Sequence, residues 1–234
     1  MKKQMVGEVP GNLLGMLADL LHKIQNGIIS IGELTRFLKR ENPFETPSYH
    51  NFINEWEKFY KKVFGLTVDL SQVRIPIPRD GFNWLVVMLQ GLTAQKLFDK
   101  CKELFGAWKW TDKSLNDILD QTKSVCSSIN GHYAIWLRDR VEADEELRNR
   151  SANNLQQDNV QGITLEERLL LELFYYWKTK KHLDIDNWTL CSGSRYDDGS
   201  VPSVGWGCFS DGLSVSWSSP DGARGSLRSR ETVS

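Results

Sequence analysis

The chain has 234 residues, of which 40% are hydrophobic and 25% are charged, which is ordinary usage for a globular protein long enough to bury a sizeable core. Lysine and arginine total 29 against 30 aspartate and glutamate residues, so the net charge of -1 gives no global attraction to nucleic acid or to an acidic membrane surface. A partner of either kind would need a local basic patch.

The cysteines and the N-terminal residues indicate the cellular compartment of the protein. No two cysteines form a Cys-x-x-Cys pair and no histidines cluster with them, so the spacing indicates neither a zinc site nor a disulfide framework. We therefore predict reduced cytoplasmic thiols and no cofactor. Pro10, Gly11 and Asp19 interrupt any apolar segment of a signal peptide, and no run approaches the ~18 apolar residues of a membrane helix. A cytoplasmic protein without a membrane partner is expected. The cysteines are Cys101, Cys126, Cys191 and Cys208.

Two short helices are predicted near the start of the chain. Leucines between residues 13 and 25 recur at helical spacing, so the first helix is expected to bury that face and to end at Gly27. Ser30 and Glu33 have the spacing of a capping box, in which the serine accepts from an early amide and the glutamate reaches back. This pair predicts the start of the second helix.

The same two helices loosely resemble a helix-turn-helix, which makes a DNA-binding regulator or mobile-element accessory protein one alternative function. The turn is about one residue longer than the usual pattern, and no strongly basic flank supports it, so a plain helical hairpin is favoured. If the DNA reading applies, the residues that would contact DNA are Thr35, Arg36, Lys39 and Arg40.

A third helix and a mixed segment follow. Thr46-Pro47 places a capping residue before proline at the first helical position, which predicts a helix to about Phe64. Residues 66–78 alternate and contain two prolines, which predicts a strand or an extended edge segment, and residues 82–89 predict a buried strand. Further predictions are a helix from Thr93 to Phe105, a short helix from Ser114 and a strand from Tyr133 to Val141.

The end of the chain predicts a helix packed on a small sheet. Thr164 and Glu167 form a second capping box before a strongly apolar helix that runs to about Lys181. Two Asp-Gly steps suit two-residue hairpin turns, and a Pro-Asp-Gly step suits a longer turn. These turns separate four predicted strands, at about residues 187–197, 200–209, 213–218 and 224–233.

A two-residue turn at Asp211-Gly212 fixes the expected register of the second and third of these strands, with Trp206 opposite Trp217. One face then carries the apolar residues and packs on the helix. The opposite face carries glycines and serines, and continuing the register adds two arginines. The apolar face holds Trp206, Cys208, Leu213, Val215 and Trp217, and the polar face includes Ser214, Ser216, Arg228 and Arg230.

The elements together predict an α+β protein with N-terminal helices, a mixed middle segment and a C-terminal helix packed on a four-stranded antiparallel meander. The expected divisions are residues 1–64, 65–150 and 151–234, because residues 142–161 are polar enough for a linker.

The favoured function is a non-enzymatic binding or interaction module whose partner is a protein or a small anionic ligand. Ser214, Ser216, Arg228 and Arg230 supply donors that could hold an anion, although an ordinary solvated face is the simpler interpretation. The loop from Ser192 to Ser203, with Arg195 and Tyr196, is the next candidate.

An enzyme is a second alternative. Cys191 is the candidate nucleophile, and His182 with Asp184 or Asp186 lies near it in sequence. No nucleophile-elbow pattern is present, and a cysteine on an amphipathic strand usually serves packing, so catalysis is disfavoured.

Several C-terminal segments resemble a family of hypothetical bacterial proteins of unassigned function. The segments are NWTLCSGSRY, VPSV and LRSR, and GHYAIWLRDRVEADEEL from the middle of the chain also resembles that family. The resemblance covers the C-terminal half and, more loosely, residues 74–147. It implies a bacterial, cytoplasmic protein and supplies no catalytic residues.

Overall fold

A computed structural model describes residues 11–39, 49–207 and 212–234. The chain divides into two compact units, Met1–Ser48 and Tyr49–Ser234. The α-helices of the described residues are α1 (Gly11–Gln25), α2 (Ile31–Leu38), α3 (His50–Phe59), α4 (Ala94–Phe105), α5 (Leu115–Ile118), α6 (Ala152–Gln157) and α7 (Leu165–Thr179). The strands are β1 (Trp84–Met88), β2 (Ala107–Lys109), β3 (Tyr133–Leu137), β4 (Trp188–Leu190), β5 (Val201–Trp206), β6 (Leu213–Ser218) and β7 (Leu227–Arg228).

The first unit contains the two predicted N-terminal helices. The Glu33 amide donates to the Ser30 hydroxyl at 3.1 Å and the Ser30 amide donates to the Glu33 carboxylate at 2.7 Å, so the capping box is confirmed. The expected burial of the leucine face of α1 is wrong, because Leu14 and Leu21 are 57% and 60% exposed. An eight-residue α2 is too small to cover a fifteen-residue helix.

The second unit opens with α3 and the π-helical turn Tyr60–Phe64 that follows it, and aromatic residues of both cover an edge of β1. The predicted start at Thr46-Pro47 lies outside the described residues. The Trp56 indole N–H donates to the carbonyl of Leu85 at 3.0 Å, and the Tyr60 hydroxyl donates to that of Val87 at 2.6 Å. Trp56 also stacks on Phe174 of α7 with ring centroids 4.0 Å apart. The outer edge of β1 is therefore closed by a helix.

The strands form two sheets. β1 pairs with β3 in antiparallel fashion, and the second sheet has the order β2-β6-β5-β4-β7. The predicted four-stranded antiparallel meander is wrong, because this sheet has five strands and two of its pairs, β2 with β6 and β4 with β7, are parallel. After β6 the chain crosses to the far side of β4 instead of pairing with its neighbour, and β2 joins from the middle of the sequence.

The register of β5 and β6 also differs from the prediction. Trp206 lies opposite Leu213, not Trp217, and the connection between the strands is longer than a two-residue turn. The shift is an even number of residues, and side chains alternate with a period of two, so the predicted faces survive for the described residues of β5 and β6. Arg228 was predicted to share a face with Ser214, which is wrong, because β7 pairs with β4 so that Arg228 lies level with Thr189, Val204 and Val215 on the opposite face. Trp206, Leu213 and Val215 share the face that packs on α7.

Helix α7 is the centre of the second unit. Its capping box is confirmed, since the Glu167 amide donates to the Thr164 hydroxyl at 3.2 Å and the Thr164 amide donates to the Glu167 carboxylate at 2.7 Å. The helix contacts α4, β1 and β5, and one hydrophobic cluster extends from Ile53 to Val215. The molecule is an α+β protein, and the expected boundary near residue 150 lies inside this unit. No described helix has the length and apolar character needed to cross a membrane.

Candidate functional site

Arg230, one of the predicted anion-binding residues, is buried in a network of charges. Its guanidinium donates to Asp184 at 2.7 Å and to the carbonyls of Arg140 and Val141 at 2.9 and 2.7 Å. Burial would raise the pKa of Asp184, but the charges of Arg230 and Arg168 outweigh it and hold this pKa below its usual value. Arg230 is therefore a buried structural residue, and its guanidinium is not exposed for binding an anion.

The same network continues into α7. Arg168 pairs with Asp184 at 2.8 Å and with Glu172 at 2.8 Å, and all three side chains are fully buried. Glu172 also contacts Nδ1 of His182 at 2.9 Å. The His182 ring stacks on Trp206 with centroids 3.2 Å apart. A buried charge that loses its partner is strongly destabilising, so these residues depend on one another for stability.

The other residues of the predicted polar face are also largely engaged or covered. Arg228 forms an ion pair with Glu145 at 2.6 Å. Ser214 is fully buried, and among the described residues its hydroxyl has no hydrogen-bond partner. The expectation of an exposed face is therefore wrong at Ser214, because α6 and Trp188 lie on that side of the sheet. Ser216 is half-buried and lines a cavity.

The Arg195–Tyr196 loop is turned inward. The Arg195 guanidinium donates at 2.8 Å to the carbonyls of Ser192 and Ser194, and burial lowers its pKa. Tyr196 is 1% exposed, its hydroxyl donates to the carbonyl of Ser216 at 3.4 Å, and burial raises its pKa. Both side chains hold their own loop in place.

The residues of the two alternative functions lie in different surroundings. Cys191 is fully buried, and burial raises the pKa of its thiol, which is opposite to what a thiolate nucleophile requires. The Thr35 hydroxyl donates to the carbonyl of Ile31 within its own helix at 2.8 Å, and Lys39 is exposed. The side chain of Arg36 and all of Arg40 lie outside the described residues.

The candidate binding site is a groove along the outer edge of β3. The amide and carbonyl of Trp136 pair with those of Val233, so Trp136 directs its backbone groups away from β1. Ala134 lies two residues earlier and must do the same. Within the described residues, its amide and carbonyl have no partner, although Ala134 is 3% exposed. Open backbone groups on a sheet edge are a template for a further strand.

The groove beside this edge has a volume of about 740 Å³. Its opposite wall is the extended segment with two prolines, which the Trp136 indole N–H fixes by donating to the Pro76 carbonyl at 2.8 Å. Ile77 in that wall is 80% exposed, and Arg74 beside it is exposed and has no ion pair with any described residue. The remaining lining residues are Cys126, Ser127, Gly131, His132, Tyr133, Val233 and Ser234.

The polar groups of the groove include a histidine, a cysteine and an arginine. Nδ1 of His132 accepts from the amide of Gln90 at 2.9 Å, which leaves Nε2 as a donor. Burial and the nearby Glu167 raise the pKa of the Cys126 thiol to about 12, so this cysteine is not an activated nucleophile. Arg74 supplies positive charge.

Behind the groove lies a buried carboxyl group. Burial raises the pKa of Glu167 to about 7, against the opposing effect of hydrogen bonds from Thr164 and Tyr133. The Tyr133 hydroxyl donates to it at 3.0 Å. Glu167 is 1% exposed, so it acts on folding and not on a ligand directly.

The sequence gives one signal for this groove. The prolines at 76 and 78 predict an extended edge segment, which is the outer wall. The open position at Ala134 has no local signature, because it depends on the pairing of Val233 with Trp136, which lies almost one hundred residues earlier in the sequence.

No group of three or more His, Cys, Asp or Glu side chains in the described part of the chain could hold a metal ion. Comparisons with protein-family models, with curated proteins and with solved structures find no match for the chain.

Proposed function

We propose that this protein is a bacterial cytoplasmic interaction module that captures a short extended peptide of a partner protein along the edge of β3. The observation that carries the proposal is the amide and carbonyl of Ala134, which have no partner among the described residues, at the side of a 740 Å³ groove. An added strand would satisfy both groups, as in other cases of β-strand addition.

The walls of the groove indicate the chemistry of the peptide. Pro76 and Ile77 offer an apolar wall, and the exposed Arg74 offers a positive charge. A peptide with an aliphatic residue next to an acidic one fits both, since main-chain bonds supply affinity and the flanking side chains supply specificity. Val233 already occupies the adjoining edge position, so the captured strand would lie beyond it, along Ala134 and His132.

The test is selection of ten-residue peptides from a phage-displayed random library on the full-length protein, followed by titration of selected peptides. Arg74→Glu is expected to weaken binding about tenfold, the scale of one charge-assisted contact. Lys62→Glu, an exposed charge change outside the groove, is the matched control and should leave the affinity unchanged.

A backbone measurement separates strand addition from other binding modes. Saturating peptide should slow hydrogen exchange of the Ala134 amide, and Ala134→Pro, which removes that amide, should abolish capture. Recovery of no peptide, or peptides that bind Arg74→Glu with wild-type affinity and leave Ala134 exchange unchanged, would overturn the proposal.

A further inference from the structure

The helices of the first unit expose most of their large apolar side chains. Among residues 11–39, nine such side chains are 42–72% exposed. Four of them lie between residues 28 and 38, in or next to α2. At about 150 Å² for a fully exposed large side chain, the nine offer on the order of 800 Å² of apolar surface. The five on α1 are Leu13, Leu14, Met16, Leu17 and Leu21.

This apolar area matches what one side of a stable dimer needs. The largest apolar patch on a typical soluble monomer is about 300–600 Å², whereas a standard protein–protein interface buries about 800 Å² on each partner. Segments of fewer than about 40 residues also rarely keep a fold without a metal, a disulfide or an oligomeric partner. The helical pair of residues 11–39 is within that range, so it needs a partner to bury its apolar side chains.

The spacing of the apolar residues on α1 suits packing against another helix. Leu14, Leu17, Leu21 and Ile24 follow one another at steps of three, four and three residues, which is the spacing of the a and d positions in paired helices. We call these four residues the α1 seam. On the other side of the helix, Lys23 forms an ion pair with Asp19 at 2.8 Å. The helix therefore has one apolar and one polar side.

The charges of the helical pair disfavour a membrane surface as the partner. Residues 11–39 contain three basic and two acidic side chains, and one of the basic residues, Lys23, is already paired with Asp19. Helices that lie on anionic membranes carry a polar side rich in lysine and arginine. A nearly neutral polar side beside a leucine-rich seam is instead typical of helices that associate with protein.

We infer that a second copy of this chain covers the apolar side of α1, in a two-fold homodimer whose two α1 helices pack along the α1 seam. A two-fold interface uses the same surface of both copies, and such dimers are the commonest symmetric oligomers. The groove beside β3 is lined by other residues, so dimerisation and peptide capture can each fail without the other.

The experiment is sedimentation velocity of the full-length protein from about 1 to 50 µM. The wild type is expected to reach twice the monomer mass within this range. Leu14→Asp combined with Leu21→Asp should raise the dissociation constant at least about tenfold, because two buried apolar contacts are replaced by charges. The matched control, Gly15→Asp combined with His22→Asp, adds charges at the same spacing on the polar side, where a Cβ atom at Gly15 meets no other atom, and should leave the dimer intact.

Two measurements separate lost pairing from lost folding. All nine tryptophans lie in residues 49–234, so urea unfolding followed by tryptophan emission should give the same curve for both double variants and confirm that the second unit is folded. In the wild type, amides of the α1 seam should exchange hydrogen more slowly as the protein concentration rises, whereas amides of α7 should not change.

The inference is overturned if the wild type stays monomeric over the whole concentration range, or if the Leu14→Asp, Leu21→Asp variant dimerises as the wild type does. Hydrogen exchange of α1 that does not depend on concentration would also overturn it. Flotation of the monomer with phosphatidylcholine vesicles, abolished by the same two substitutions, would overturn it in favour of a membrane surface.

Discussion

Glu167→Gln is expected to stabilise the protein at alkaline pH and to leave it little changed at pH 4.5. The folded structure raises the pKa of Glu167 from 4.5 to about 7, which corresponds to about 3 kcal/mol. Below pH 4.5 Glu167 is protonated in both the folded and the unfolded state, so its ionisation does not change the free energy of unfolding. As the pH rises towards 7 the unfolded chain ionises first, so wild-type stability falls, and above pH 7 the full cost of about 3 kcal/mol is present.

Glutamine can replace the hydrogen bonds of the protonated acid. Its carbonyl can accept from the Thr164 amide and its amide can donate to the Tyr133 hydroxyl, so the capping box is retained. The assay is urea unfolding of both proteins at half-unit steps from pH 4.5 to 8.5, with the difference in unfolding free energy plotted against pH. Taking the difference cancels the titrating groups that do not interact with Glu167. The buried neighbour Glu166 does interact, since its charge helps to raise the pKa of Glu167, so its titration contributes to the measured difference. A difference that stays constant across this range would refute the burial argument.

Three further outcomes are expected. Asp184→Asn should cost about 3 to 5 kcal/mol in urea unfolding, because two buried arginines lose their shared counter-ion. Gly212→Ala should cost about 1 to 3 kcal/mol and loosen β2 from β6, measured by hydrogen exchange, since its Cβ atom would lie 2.7 Å from the carbonyl oxygen of Gly106. Native Cys191 should resist iodoacetamide at pH 7.5 and react only after unfolding, as read by mass spectrometry, and rapid selective labelling would instead support the enzyme alternative.

The elements that the sequence predicts well are those whose cause is local. Both capping boxes pair residues three apart, so they could be read directly and are confirmed. The strands β1, β5 and β6 follow from short apolar or alternating runs. Such patterns could not predict which strands are neighbours in the sheet, because β2 and β6 pair although they are about one hundred residues apart in sequence.

In the candidate sites, too, local sequence patterns predict some features, and contacts between distant segments decide the others. The alternation of β6 correctly places Ser214 and Ser216 on one face, but it does not reveal that α6 and Trp188 cover that face. An arginine in a polar strand predicts a surface donor, whereas Arg230 is buried because Asp184 neutralises it from 46 residues away. The groove beside β3 arises where residues 74–77, 126–134 and 233–234, which are distant in sequence, come together.

The buried charge network also constrains how the protein can be made. Asp184 and Arg168 are synthesised before Arg230, and the separation of 46 residues between Asp184 and Arg230 takes roughly 2 to 9 s at ribosomal rates. During that interval the nascent chain contains Asp184 and Arg168 but not Arg230, the second buried arginine that pairs with Asp184. Folding of the second unit therefore cannot be completed before Arg230 has been synthesised, and a ribosome stalled before residue 230 would present an unfinished domain to chaperones and proteases.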